Sequence, residues 1–117
     1  PGGREKTMIE IEFKDQKIAA MVADNIFKRG LGLSFRKKGK MLFKFSRDTN
    51  APIDMMLMRD SLHLYFMNKG KEVIHVEKAE PWYKIPGKLL HRPEKKYRYL
   101  LESFEELDIQ AGDKLDF

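Results

Sequence analysis

Residues 62 to 78 read LHLYFMNKGKEVIHVEK, two extended runs of apolar and β-branched side chains around an Asn-Lys-Gly step. Period-two alternation with aromatic and branched residues marks each run as a strand, and so short a polar step between them marks a hairpin. The reading sets Gly70 in the left-handed position that ends a three-residue loop, a type I turn with a bulge. That register brackets the loop with Met67 and Lys71 and sets Tyr65 opposite Val73 and His63 opposite His75. Leu62, Leu64, Phe66, Ile74 and Val76 then form a wholly apolar core face, and the face carrying both histidines is mixed.

Outward from this hairpin the same pattern repeats. MIEIEF (8 to 13) alternates, FKDQK supplies a turn and KIAAMVA resumes, so a first hairpin is expected. Asp24 can cap a short helix, NIFKR, that Gly30 ends. RKKGK is a loop, and MLFKF is a strand with Met41, Phe43 and Phe45 on one side. Pro81 cannot donate to a ladder and ends the second strand of the opening hairpin. Residues 81 to 96 hold three prolines and read as a surface loop or short edge pieces. YRYLLE is a strand, SFEELD a turn or single helical turn, and AGD a turn into a terminal strand KLDF. Many short strands with one short helix predict a mostly β fold, a compact antiparallel sandwich or barrel-like single domain.

The 117 residues fit one domain, expected over 8 to 117. Residues 1 to 7, PGGREKT, are expected to be a disordered lead or an expression remnant, with Met8 the natural start. The chain has no cysteine, which excludes disulfides, thiolate catalysis and cysteine-ligated zinc or iron–sulfur centres. No stretch has the ~18 apolar residues of a membrane span, and no signal segment opens the chain, so the expectation is a soluble, cytoplasmic protein. The net charge of +5 is uneven. Residues 28 to 47 carry eight basic residues and no acid, and the tail from Glu102 to Asp116 carries six acids against Lys114. Such asymmetry fits an anionic partner, or basic and acidic segments paired within the chain.

DMMLMR (54 to 59) offers Met55, Met56 and Met58 as thioether ligands for a soft ion. Strand alternation divides them between two faces, so they read as core. His63 opposite His75 gives two imidazoles without a third ligand, and no metal is expected. SFRKKGKMLFKF interleaves aromatics with cations, as nonspecific nucleic-acid binding through 28 to 47 would need. It lacks the base-stacking aromatics of an RNA-recognition motif, since Lys40 and Leu42 stand at those places. GLGLSF lacks the third glycine of a dinucleotide loop, and no nucleophile elbow, zinc-protease or phosphate-loop sequence is present. Carboxylate pairs such as Asp54 with Asp60 carry no mark of a raised pKa, so no catalytic residue is assigned and no cofactor is expected. Trp82, after Pro81 at a strand exit, is the aromatic placed as loop residues with binding roles are.

In order and spacing, RGLGLSFRKKGKMLFKF, DMMLMRDSLHLYFMNKGKEVI, EPW, YLLE and IQAGDKLDF resemble the successive motifs of the domain of unknown function 192 family, in its archaeal type. The resemblance runs from about residue 8 to the end and implies a compact, mostly β fold with little helix. It implies no activity. The family's Gly-Leu and Arg match Gly30, Leu31 and Arg36, its Met-Leu-Phe matches Met41, Leu42 and Phe43, and its Met-Arg matches Met58 and Arg59. Its Gly-Asp matches Gly112 and Asp113. The proline and aspartate that usually follow Met-Arg are absent, and Asp60, Ser61, Leu62 and His63 stand there.

Gly112 allows a turn and Asp113 can accept from nearby amides. Arg36 and Arg59 lie among apolar residues and require a carboxylate, for instance Glu102 or Asp113, or an anionic ligand. The expectation is therefore a noncatalytic binding or interaction module for a small or anionic ligand, with a pocket lined by Arg36, Arg59, His63, His75 and Trp82. Nonspecific nucleic-acid binding is the alternative, and an enzyme of unidentified class the second.

Overall fold

The computed structural model describes residues 8–23, 39–54, 60–81 and 90–117. They form eight strands: β1 (Met8–Phe13), β2 (Gln16–Ala23), β3 (Lys40–Thr49), β4 (Ile53–Asp54), β5 (Leu62–Met67), β6 (Val73–Ala79), β7 (Leu90–His91) and β8 (Tyr97–Ser103). Six make one sheet in the order β1-β2-β3-β8-β5-β6, and β4 and β7 pair as a separate ribbon. The mostly β expectation holds. Among the described residues there is no helix, and none long and apolar enough to cross a membrane. The helix expected at NIFKR and the methionines at 55, 56 and 58 lie outside the described residues.

β1 and β2 form the predicted hairpin, closed by Lys14 and Asp15, both at positive φ (50° and 63°). Two positive values in a two-residue loop are the type I′ geometry that matches strand twist. The sheet is mixed rather than purely antiparallel, because β2 and β3 run parallel while the other pairs of the sheet are antiparallel.

The β5–β6 hairpin forms, with a register that corrects the sequence reading. The residue in the left-handed region is Lys71 (φ 67°), not Gly70. Asn68 holds the loop, its Oδ1 accepting from the amides of Gly70 (2.9 Å) and Glu72 (3.1 Å). Met67 pairs with Val73 and Phe66 with His75, leaving Ile74 as the extra residue of a bulge. Beyond it His63 faces Lys78, Leu64 faces Glu77 and Tyr65 faces Val76. His63 is therefore not opposite His75. A one-residue displacement exchanges the faces of a strand, so Val76 is exposed, while His75 and Glu77 share the side of Leu62, Leu64 and Phe66.

Both faces of the sheet are packed. On one side Met21, Met41, Phe43, Leu62, Leu64, Phe66 and Leu100 meet Ile53 of the β4–β7 ribbon, with Tyr97 edge-on to Phe66 (4.8 Å between centroids) and Phe45 (5.6 Å). On the other, Ile11, Ile18, Leu42, Tyr65, Met67 and Leu101 pack against Ile109 and Leu115 of the C-terminal segment. That segment bridges both edges of the sheet. The amides and carbonyls of Glu12 and Asp116 exchange hydrogen bonds (2.8 and 3.0 Å), and Val73 donates to Asp113 (2.7 Å) and Leu115 to Lys71 (3.0 Å). Instead of a regular last strand, residues 112–116 are a strap joining β1 to the start of β6, which gives the sheet a barrel-like closure. Gly112 (φ +98°) makes the turn, and Asp113 Oδ2 accepts from the Gln110 amide at 2.7 Å, the local role read for this Gly-Asp pair.

Candidate functional site

Alternation along β6 brings His75 and Glu77 to the inner face, and β7 brings His91 down onto them. Glu77 Oε1 lies 3.2 Å from His75 Nε2, and Glu77 Oε2 bonds His91 Nδ1. His91 is 3% exposed and Glu77 only partly exposed, so this cluster sits at the edge of an apolar core, where an ion without partners is costly. An ionised carboxylate only accepts, so each imidazole nitrogen facing Glu77 carries the hydrogen. For neutral His91 this fixes the Nδ1–H tautomer and leaves Nε2 with a lone pair. His91 Nε2 is buried and makes no hydrogen bond among the described residues.

Cross-strand register extends the polar row. Glu102 on β8 pairs with Met41 on one side and Leu64 on the other, and Leu64 in turn pairs with Glu77. Glu102 is 4% exposed and shares the face of Glu77, two strands or roughly 10 Å away. The described part of this face is thus two carboxylates and two imidazoles set among Leu64, Phe66 and Leu100. Among the described residues no group of three His, Cys, Asp or Glu side chains is placed to hold a metal ion.

Of the residues expected to line a pocket, the structure describes His63 and His75. They are separated by the sheet: His63 lies in register with Lys78 and Ser103, on the face of Tyr65, whereas His75 contacts Phe66 on the opposite face (5.7 Å between centroids). Arg36, Arg59 and Trp82 lie outside the described residues. Glu77 and His91 went unrecognised in the sequence. The i, i+2 spacing of His75 and Glu77 was a usable signal for their shared face, but nothing local ties His91 to a strand fourteen residues earlier.

The basic segment is partly neutralised where it is described. Lys40 bonds Glu105 at 2.6 Å, and this contact holds the Glu105 carboxyl below the usual range. Lys44 stands over the Phe117 ring at 5.7 Å. On the strap side, the Tyr65 hydroxyl accepts from the Leu107 amide (2.7 Å) and donates to its carbonyl (3.3 Å), and burial pushes its pKa above the ordinary tyrosine value.

Comparison with known proteins places the whole described fold in one lineage. The family DUF192, described as Uncharacterized ACR, matches residues 8–117. A UPF0127 protein of Pyrococcus furiosus is 31% identical over 111 residues, covering 89% of this chain and 90% of its own. A UPF0127 protein of Pyrococcus abyssi is 28% identical, covering 82% of this chain and 83% of its own. Among solved structures, a protein of unknown function from Novosphingobium aromaticivorans superposes with a TM-score of 0.78 at 17% identity, over 94% of this chain and 85% of that one. One titled a putative transcription regulator from Sinorhizobium meliloti superposes at 0.77 with 18% identity, over 96% and 93%. At such identities these two likenesses concern the fold.

Proposed function

The chain belongs to the DUF192 family, and from that premise we propose that it is a noncatalytic binding module for a small polar ligand received at the His75–Glu77–His91 cluster. One observation carries this reading: His91 is almost fully buried, is oriented by Glu77 through Nδ1, and keeps Nε2 without a protein partner among the described residues. Buried polar atoms in native proteins are nearly always paired, and for an oriented acceptor without a partner among the described residues the proposed donor is a ligand. The ligand group that meets His91 is accordingly a hydroxyl, an amine or an amide N–H. Arg36, Arg59 and Trp82 remain proposed contributors, the arginines for an anionic part of the same ligand and Trp82 for an apolar face. His63 is not proposed at this cluster, since it lies on the other side of the sheet.

The test is a titration with sugars, nucleotides and short polyol phosphates, followed by amide chemical shifts and Trp82 fluorescence. A ligand of this site moves the amides of His75, Glu77 and His91 together, and its effect disappears in His91→Phe. Shifts confined to other surfaces, or binding unchanged in that variant, contradict the assignment.

A further inference from the structure

The end of the sheet that carries the β5–β6 loop is built differently from the His91 face. An open groove of about 390 Å³ runs between the loop, the end of β3, the start of β8 and the strap. Lys69 enters it from the loop, Lys96 from the residue before β8 and Lys114 from the strap, three cations from three distant segments. Two acids also line it. Asp48 is occupied by Arg98, whose Nε lies 3.0 Å from Oδ1, and Glu72 stands in the bridge opposite Lys114. The groove therefore keeps an excess of two positive charges. Asn68, by bonding two loop amides through Oδ1, fixes the turn that presents Lys69.

We propose that this groove binds the phosphate backbone of a single-stranded nucleic acid. Cations converging on one concavity follow one chain of phosphates, whereas a bilayer calls for a flat or convex basic face and a duplex for two separated basic stripes. The contact is electrostatic: the described lining offers lysine ammonium groups and no aromatic ring on which a base could stack, and the amides of Gly70 and Glu72 are bonded to Asn68. None of its three lysines belongs to the segment 28 to 47 that the sequence offered for such binding, and it does not depend on the His91 site.

The experiment measures fluorescence anisotropy of a labelled oligothymidylate across a salt series with the full chain. Three phosphate contacts to a single strand give a log–log slope near −2, or about a 20-fold loss of affinity between ~50 and ~200 mM salt. The variant K69S/K96S/K114S flattens that slope towards zero and weakens binding at least tenfold at the low-salt end. The variant K14S/K17S/K78S removes the same charge from exposed lysines elsewhere and leaves the slope in place. Equal loss in both variants would assign the binding to net charge, and absence of salt-dependent binding would remove it. Binding to phosphatidylserine vesicles without binding to the oligonucleotide would replace the nucleic acid with a membrane, and each of these three results overturns the proposal.

Discussion

Replacing Leu115 by Ala tests whether the strap joins the two edges of the sheet. Leu115 is 2% exposed and lies in the core cluster with Ile11, Tyr65, Leu101 and Ile109. Truncating a leucine in such a place removes its transfer free energy and leaves a cavity, a combined cost of about 2–5 kcal/mol. Leu115 sits between the bond from its own amide to Lys71 and the exchange of Asp116 with Glu12. The cavity therefore loosens both attachments at once. A loss near 3 kcal/mol corresponds to a fall of roughly 10 °C or more in melting temperature for a domain of this size. Urea unfolding gives the free energy and native-state hydrogen exchange gives its distribution. In the variant the amides of Glu12, Val73 and Asp116 lose protection as one unit, while Leu42 and Leu101 at the sheet centre exchange through global unfolding. A cost below 1 kcal/mol, or loss of protection at Val73 without loss at Glu12, would refute the strap as a single closing element.

Three further outcomes follow from particular residues. Asp15→Gly places glycine where φ is already 63° and stabilises the β1–β2 turn by about 0.5–1 kcal/mol, read as a higher urea midpoint at unchanged slope. Tyr65→Phe strands the Leu107 amide and carbonyl and costs about 1–3 kcal/mol. The Tyr65 pKa is raised in the fold, so its contribution is complete below the unfolded value of 10.0 and fades as pH climbs through the folded value; the variant lacks that alkaline decline in stability-versus-pH curves. Lys40→Met returns the Glu105 carboxyl towards its ordinary value, visible as a rightward shift of its NMR titration, and removes the small acid-side loss of stability as pH falls through the depressed folded value.

Period-two alternation made β1 and β6 legible, and short runs rich in aromatic and branched apolar residues between turn signals did the same for β2, β3, β5 and β8, which are packed on both faces. Register was not legible. Gly70 is the residue best suited to a left-handed conformation, yet Asn68 closes the loop from its side chain and moves that conformation to Lys71, and the bulge at Ile74 follows. One residue of displacement then removed His63 from the face of His75 and brought His75 and Glu77 together onto the face of Leu62, Leu64 and Phe66. The parallel pairing of β2 with β3 and the strap across Glu12 and Val73 depend on contacts between residues far apart in sequence, about which local pattern is silent. The site was legible to the same degree: His75 could be found, but His91 reaches Glu77 only through the two-residue strand β7 between proline-rich stretches.

The claim that His91 offers its Nε2 lone pair to a ligand is tested most directly by ¹⁵N NMR of the histidine rings at neutral pH, in the protein without added ligand. The expected spectrum is that of the Nδ1–H tautomer of His91, with a nonprotonated Nε2, and Glu77→Gln disturbs this state. A His91 ring protonated at Nε2, whether or not Nδ1 also carries a hydrogen, would contradict it.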